Sequence, residues 1–368
     1  MRIALLGTRG IPARYGGFET FAEELATRLA RRGHQVRVYC RGSPWAGRDP
    51  VYRGVRLVTL PTIPHKYFDT IVHTFLSTLH LLARPADVAL YCNGANMLFT
   101  VLPRLAGIPA AINVDGIERR RRKWNALARA WYAFSERLAA LLPSAVVADA
   151  EAIARYYRER HGLVAEFIPY GAATEPVETQ EALDRLGLAP GQYWLYVSRM
   201  ELENNALLVA RAFERTALNQ KLVMVGDAPY ARPYLQRLRE IRDPRILFPG
   251  AVYGDGYHEL QAHSFACLHA TEVGGTHPAL IEAMGRGRCV LYLDTPENAE
   301  VAGGVAIPFQ ASEASLAAAI ESVGAMAADE RRRLGELARQ RVALRYQWEA
   351  VTDSYERLLR RCLERESP

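Results

Sequence analysis

The chain has 368 residues, 49% of them hydrophobic and 23% charged, enough for two ordinary domains and unlike a collagen-like, disordered or disulfide-stapled composition. Its net charge of +6 is uneven: residues 1–170 hold 24 Lys+Arg and 13 Asp+Glu, giving +11, whereas residues 171–368 hold 22 and 27, giving −5. Five scattered cysteines (Cys40, Cys92, Cys267, Cys289, Cys362) without metal spacing, an opening apolar run too short for a secretory signal, and no 18-residue uncharged apolar stretch lead us to expect a cytoplasmic chain with reduced thiols that spans no membrane.

The predicted elements begin with a strand from Arg2 to Gly7, a glycine-bearing loop, and a helix with Phe18, Phe21, Ala22, Leu25 and Leu29 on one face, stopped by Gly33. A strand from Gln35 to Cys40 follows, then short apolar runs at 55–60, 87–92, 110–114 and 145–148, with helical stretches between some of them. The rhythm restarts after Gly171. A linker and short helix over 172–191 lead to strands at Tyr193 to Val197, Leu222 to Val225, Ile246 to Phe248, Cys267 to Ala270 and Cys289 to Leu293. Helices from Asn205, at Tyr234 to Ile241, at Tyr257 to Ala262 and at Pro278 to Met284 alternate with them. The tail from Ala327 is helical and charged.

Strands alternating with helices imply parallel sheets covered on both faces. The expectation is an α/β protein of two facing, Rossmann-like, doubly wound domains, residues 1–171 and 172–345, with a helix over 346–368 returning to the first. Open α/β sheets bind ligands beyond the carboxyl ends of their strands, so the chemistry is expected on those loops, in a crevice between the domains.

Four loops are chemically informative. Gly7 to Glu19 is glycine-rich and opens a helix, which suits an anion or a plain structural turn. It is not GxGxxG, and the second strand ends at Cys40-Arg41 rather than at an acidic residue, which disfavours a nicotinamide enzyme. Asp115 and Glu118 follow a strand and offer a base or hydroxyl ligand, or an N-cap at Asp115. Arg199 can fork onto a phosphate or pair with Glu201 or Glu203. The fourth and richest loop is His269 to Met284, where two glycines turn the chain into a helix at Pro278. The N–H groups of 275–277 point at an anion, and Glu282 lies within reach of a ribose hydroxyl pair; the plainer alternative is a capped helix with a solvated glutamate. Separately, Arg119, Arg120, Arg121, Arg122, Lys123 and Trp124 lead into an aromatic-rich helix, and Tyr67 to Leu82 is largely apolar. Together they fit a peripheral contact with anionic lipid or helices that simply cover the sheet.

Four features stand in a fixed order: the Gly16-Gly17 loop after the first strand, Ile168-Pro169-Tyr170-Gly171 at the domain junction, Ser198-Arg199 with Glu203-Asn204-Asn205, and Glu272 with Glu282-Ala283-Met284. That order resembles the GT4 glycosyltransferases, retaining enzymes of GT-B fold that use nucleotide-sugar donors. Gly7 to Pro12, Tyr15 to Glu19 and Val273 to Thr276 are similar to the subgroup that includes bacterial polysaccharide rhamnosyltransferases. The resemblance implies that Gly16 and Gly17 lie beside the donor phosphates or sugar, and that Arg199 binds the diphosphate. It implies too that Gly274, Gly275, Thr276 and His277 meet the transferred sugar and distal phosphate, that Glu282 holds the ribose, and that Gly250 to Val252 lie near the base.

There are three departures from the family's pattern. Asn204 stands in the position of a customary lysine, Gly274 in that of the first of two glutamates eight apart, and Asp115 in that of a frequent histidine. Asp115, Arg199 and Glu272 are the catalytic candidates. Without a DxD-type motif at a suitable strand end, no obligatory metal and no cofactor are expected. The favoured donor is dTDP-rhamnose, and the favoured acceptor a lipid-diphosphate-linked saccharide at the inner face of the cytoplasmic membrane, in cell-surface polysaccharide synthesis. The alternatives are a UDP- or GDP-sugar transferase, a sugar-nucleotide epimerase, a pyridoxal-phosphate phosphorylase (for which Lys66, Lys123 and Lys221 are poorly placed), a catalytically idle binding subunit, and a basic nucleic-acid-binding protein. No nucleic-acid signature supports the last.

Overall fold

The computed structural model describes residues 1–14, 16–42, 50–65, 68–227 and 232–366. Tyr15 of the opening motif, Lys66 and Tyr67 lie outside the described residues. Two units divide the chain: Met1–Tyr170 with Trp348–Pro368, and Gly171–Gln347.

The first unit carries strands β1 (Arg2–Leu6), β2 (Gln35–Arg41), β3 (Val51–Tyr52), β4 (Val55–Leu60), β5 (Val88–Cys92), β6 (Ala110–Asn113), β7 (Ala145–Ala148) and β8 (Glu166–Phe167). They form one sheet in the order β3-β4-β2-β1-β5-β6-β7-β8, parallel except for β3. Helices α1 (Gly17–Arg31), α2 (Phe68–Ala83), α3 (Val101–Leu105), α4 (Ala126–Leu138) and α5 (Glu151–His161) connect the strands. The central strands are buried along their length, as parallel strands covered on both faces must be. Tyr39, Tyr91, Met97, Ile112 and Tyr157 lie in this unit's core.

The second unit forms a six-stranded parallel sheet from β9 (Tyr193–Val197), β10 (Lys221–Val225), β11 (Ile246–Gly250), β12 (Ala266–His269), β13 (Val290–Leu293) and β14 (Ile307–Phe309), in the order β11-β10-β9-β12-β13-β14. Its helices are α6 (Glu181–Leu186), α7 (Ala206–Glu214), α8 (Arg232–Arg239), α9 (Asp255–Ala262), α10 (Pro278–Gly285), α11 (Pro296–Ala302), α12 (Glu313–Ala325) and α13 (Ala328–Arg345). Trp194, Tyr196, Phe213, Met224, Leu291 and Phe309 pack into a separate core.

The last helix, α14 (Trp348–Glu366), packs within the first unit. Tyr355 packs against Phe21 of α1 with tilted rings, centroids 5.1 Å apart, and accepts a hydrogen bond from Asn113 Nδ2 at 2.8 Å. Arg28 of α1 and Arg32, which caps that helix, meet Glu349, Asp353 and Glu356 of α14. No helix among the described residues is long and apolar enough to cross a membrane.

Three elements between Leu293 and Ala327 go beyond the sequence reading: α11, β14 and α12. β14 is three residues long with a proline at its centre, and an edge strand tolerates proline because one side needs no ladder bond. The strand after Arg245 also runs further than expected, so Gly250 is its last residue rather than part of the following loop.

Candidate active site

In the second sheet the direction of winding reverses between β9 and β12, the position where a doubly wound sheet opens a crevice for ligands. The loops after these two strands are tied to each other. Glu272 N–H donates to the Glu203 carbonyl at 2.9 Å, and Asn205 Nδ2 donates to the Ala270 carbonyl at 2.9 Å and to Glu272 Oε1 at 3.1 Å. Asn205 adopts a left-handed conformation (φ 58°), which asparagine tolerates better than most residues. Glu272 is thus held by the neighbouring loop.

Arg199 leaves this junction with about a third of its side chain exposed, its guanidinium 3.9 Å from Glu201 Oε1. The ion pair read from sequence as its plainer role is present, though long. Asn204 is buried, and its amide donates to the Arg199 carbonyl at 2.6 Å. Expected beside a donor, it instead pins the backbone of the arginine loop. On the other flank, Met200 N–H donates to the Asp227 carbonyl at 3.2 Å and Gly226 N–H to the Gly250 carbonyl at 2.9 Å. The loops after β9 and β10 and the carboxyl end of β11 are therefore tied together, with Val252 partly buried just beyond.

The loop after β12 enters α10 through His277, with Pro278 in the first turn. Gly274 and Gly275 are buried, as is Thr276. A Cβ placed on Gly274 would lie 2.2 Å from the His277 ring, so the imidazole fills the space a side chain at 274 would need. The His277 ring in turn packs on His269, centroids 4.8 Å apart. Burial pulls the His269 pKa down to about 4, so that ring is neutral at physiological pH.

One turn into α10, Glu282 accepts a hydrogen bond from the Tyr257 hydroxyl of α9, and Gln261 Nε2 donates to that hydroxyl at 2.7 Å. Burial and the Glu282 charge hold the Tyr257 phenol well above its ordinary pKa, so it remains a donor. Tyr257 and Gln261 were missed in the sequence as site residues. Their spacing of four marks a shared helix face, but nothing local connects α9 to α10.

In the first unit the winding reverses between β1 and β5. Gly7 stands there with φ +90°, and a Cβ on it would meet the Cys92 carbonyl at 2.3 Å, which only glycine avoids. Gly16 is the extended residue capping α1, and its carbonyl receives the N–H groups of Glu19 and Thr20. Glu19 is buried and accepts the Arg9 N–H at 2.8 Å. Asp115 follows β6 with φ 56° and accepts a long hydrogen bond from Tyr170 at 3.4 Å. It does not cap a helix, because the next helical turn starts at Glu118 after Ile117.

Two sequence expectations are corrected here. Glu118 is buried and accepts from Arg121 and, at 3.2 Å, from Trp124 Nε1, which makes it structural rather than a base or hydroxyl ligand. The run of five cations is not a uniform surface. Arg121 is only 4% exposed and turned onto Glu118, and Arg119 donates to Glu136 at 2.9 Å and to Tyr156 at 2.7 Å. Lys123 lies over Trp124 at 5.0 Å. Only Arg120 and Arg122 of the run are exposed. Buried carboxylates draw in the cations that would otherwise reach solvent. Among the described residues no three His, Cys, Asp or Glu side chains converge as a metal-binding group.

Two doubly wound units, each with glycine-bearing loops at its winding reversal, define the GT-B architecture. Residues 15–175 match the model of Glycosyltransferase Family 4 and residues 191–325 that of Glycosyl transferases group 1. The chain is a GT4-like glycosyltransferase. Similar solved structures include a sucrose-phosphate synthase from Thermosynechococcus elongatus (18% identity, 98% of each chain, TM-score 0.78). Another is Alr3699/HepE from Anabaena in complex with UDP (15% identity, 98% of this chain and 99% of that one, TM-score 0.76). A third is WaaG, a glycosyltransferase involved in lipopolysaccharide biosynthesis (18%, 95% and 98%, TM-score 0.71). These likenesses concern the fold. No curated protein matches the chain by sequence.

Proposed function

We propose that the protein transfers a sugar, with retention of configuration, from a nucleoside-diphosphate donor held by the second unit to an acceptor hydroxyl taken up by the first. The supporting observation is the hydrogen-bonded junction of the loops after β9 and β12, which brings together the arginine loop and the glycine turn that opens α10. As the donor bond breaks, negative charge develops on the leaving diphosphate. Arg199 and the N–H groups at the start of α10 stabilise that charge as preorganised donors. Glu282 accepts the pentose hydroxyl, Gly16 and Gly17 approach the phosphates or sugar, and Gly250 and Val252 lie beside the base. Asp115 receives the acceptor proton, and Glu272, fixed by Asn205, faces the transferred sugar. No metal or cofactor enters this scheme.

The favoured donor is dTDP-rhamnose: with Gly274 in place of a carboxylate there is one acceptor fewer for sugar hydroxyls, which suits a deoxysugar. The bound UDP named for HepE supports a nucleoside diphosphate as the shared ligand class and keeps a UDP-sugar as the second reading. The acceptor is a lipid-diphosphate-linked saccharide, reached by peripheral binding at the inner face of the cytoplasmic membrane. A thermal-shift screen with dTDP-rhamnose, UDP-glucose, UDP-N-acetylglucosamine and GDP-mannose tests the donor. The expected result is a rise in Tm with one of them, largest for dTDP-rhamnose; no rise with any removes the proposal.

A further inference from the structure

The Tyr257–Glu282 hydrogen bond joins two helices and has no part in the scheme above. A glutamate side chain loses much rotamer freedom when it is fixed, so an unsupported Glu282 would bind a ligand hydroxyl at the expense of its own ordering. Here a phenol that stays protonated donates to Oε2, and Gln261 Nε2 fixes the phenol oxygen from one turn further along α9. Hydrogen bonds to a charged acceptor are the stronger kind. A carboxylate has about four acceptor sites on its two oxygens, so the phenol on Oε2 orients Glu282 without using up its capacity to accept a ligand hydroxyl.

We propose that Tyr257, steadied by Gln261, is a positioning residue that presents Glu282 to the 3′-hydroxyl of the donor's pentose. This rests on the reading that Glu282 holds the pentose. The inference is about preorganisation: Tyr257 removes the ordering cost from the binding step and sharpens the enzyme's preference for nucleotides that carry the hydroxyl.

Calorimetric titration tests it with UDP and dTDP, each compared with its 3′-deoxy counterpart, on the wild type, Tyr257→Phe, Gln261→Met and Glu282→Gln. The wild type should bind the hydroxylated nucleotide about tenfold more tightly than the deoxy one. In Tyr257→Phe that ratio should fall to about two- or threefold while affinity for the 3′-deoxy nucleotide is unchanged, which also shows that the site is folded. Gln261→Met should fall between the two. A purely structural role would instead weaken both nucleotides equally and preserve the ratio, which overturns the proposal. If Glu282→Gln keeps the full ratio, the pentose reading itself fails. If Glu282→Gln loses it and Tyr257→Phe does not, only the positioning role fails.

Discussion

Gly274 shows how a single position can be decided by a neighbour's volume. Its Cβ-less backbone accommodates the His277 ring, and even a methyl group would sit 2.2 Å from that ring. Gly274→Ala should therefore move His277 or the loop, at a cost of about 1–3 kcal/mol for overpacking, and raise the donor KM. Denaturant melts and steady-state kinetics would check both effects; an unchanged melt would mean the loop has slack. Arg199→Ala should lower kcat by about a hundredfold, the usual loss for one charge-stabilising donor. Unchanged turnover with the natural donor would rule out its role on the diphosphate. The identities of Arg199, Gly274 and Glu282 are legible in the sequence because each follows a strand or opens a helix. That Asn204 faces inward and Arg121 is buried against Glu118 is not, because side-chain direction depends on partners distant in the chain or on the local fold.

At the scale of elements, α14 on α1 is the clearest case. Its acidic face meets Arg28, Arg32 and His34 of the α1 region. Hydrogen bonds from Arg360, Arg32 and His34 pull Glu356 down to about 2. A depressed carboxylate contributes stability above the ordinary glutamate range, and that contribution disappears as pH falls toward 2. Glu356→Gln should thus cost about 1 kcal/mol at neutral pH and flatten the acid limb between roughly pH 4.5 and 2. Urea titrations across that window would show it; parallel curves for both proteins would contradict it. Long periodic helices and fully apolar strands were readable in advance. β14, with Pro308 in three residues, carries no such pattern and exists because β13 offers an edge beside it.

On the scale of the whole molecule, the chain forms two units with separate cores, and the proposed scheme assigns donor binding to the second. Saturating donor at about 100 times Kd should stabilise the second unit by about 2.7 kcal/mol. Scanning calorimetry should show the transition carrying that core moving up, and an unmoved scan would remove donor binding. The basic first unit also exposes Leu127 (80%) and Phe134 (46%), seven residues apart on α4, near Arg120 and Arg122 in sequence. Replacing Leu127 and Phe134 with serine should reduce flotation with phosphatidylglycerol vesicles severalfold and leave donor binding intact. Failure of the wild type to float at all would remove the membrane contact.

The sequence by itself determined the alternation of strands and helices, the two doubly wound halves and the glycine-bearing loops at the carboxyl ends of their strands. Hydrophobic periodicity, glycine and proline act through near neighbours in the chain. Only the tertiary structure decided which of those loops join, which cations of the Arg119–Lys123 run remain outside, and that a tyrosine 25 residues before Glu282 fixes its carboxylate. These outcomes depend on strand order and side-chain volume, which bring together atoms that no local pattern links.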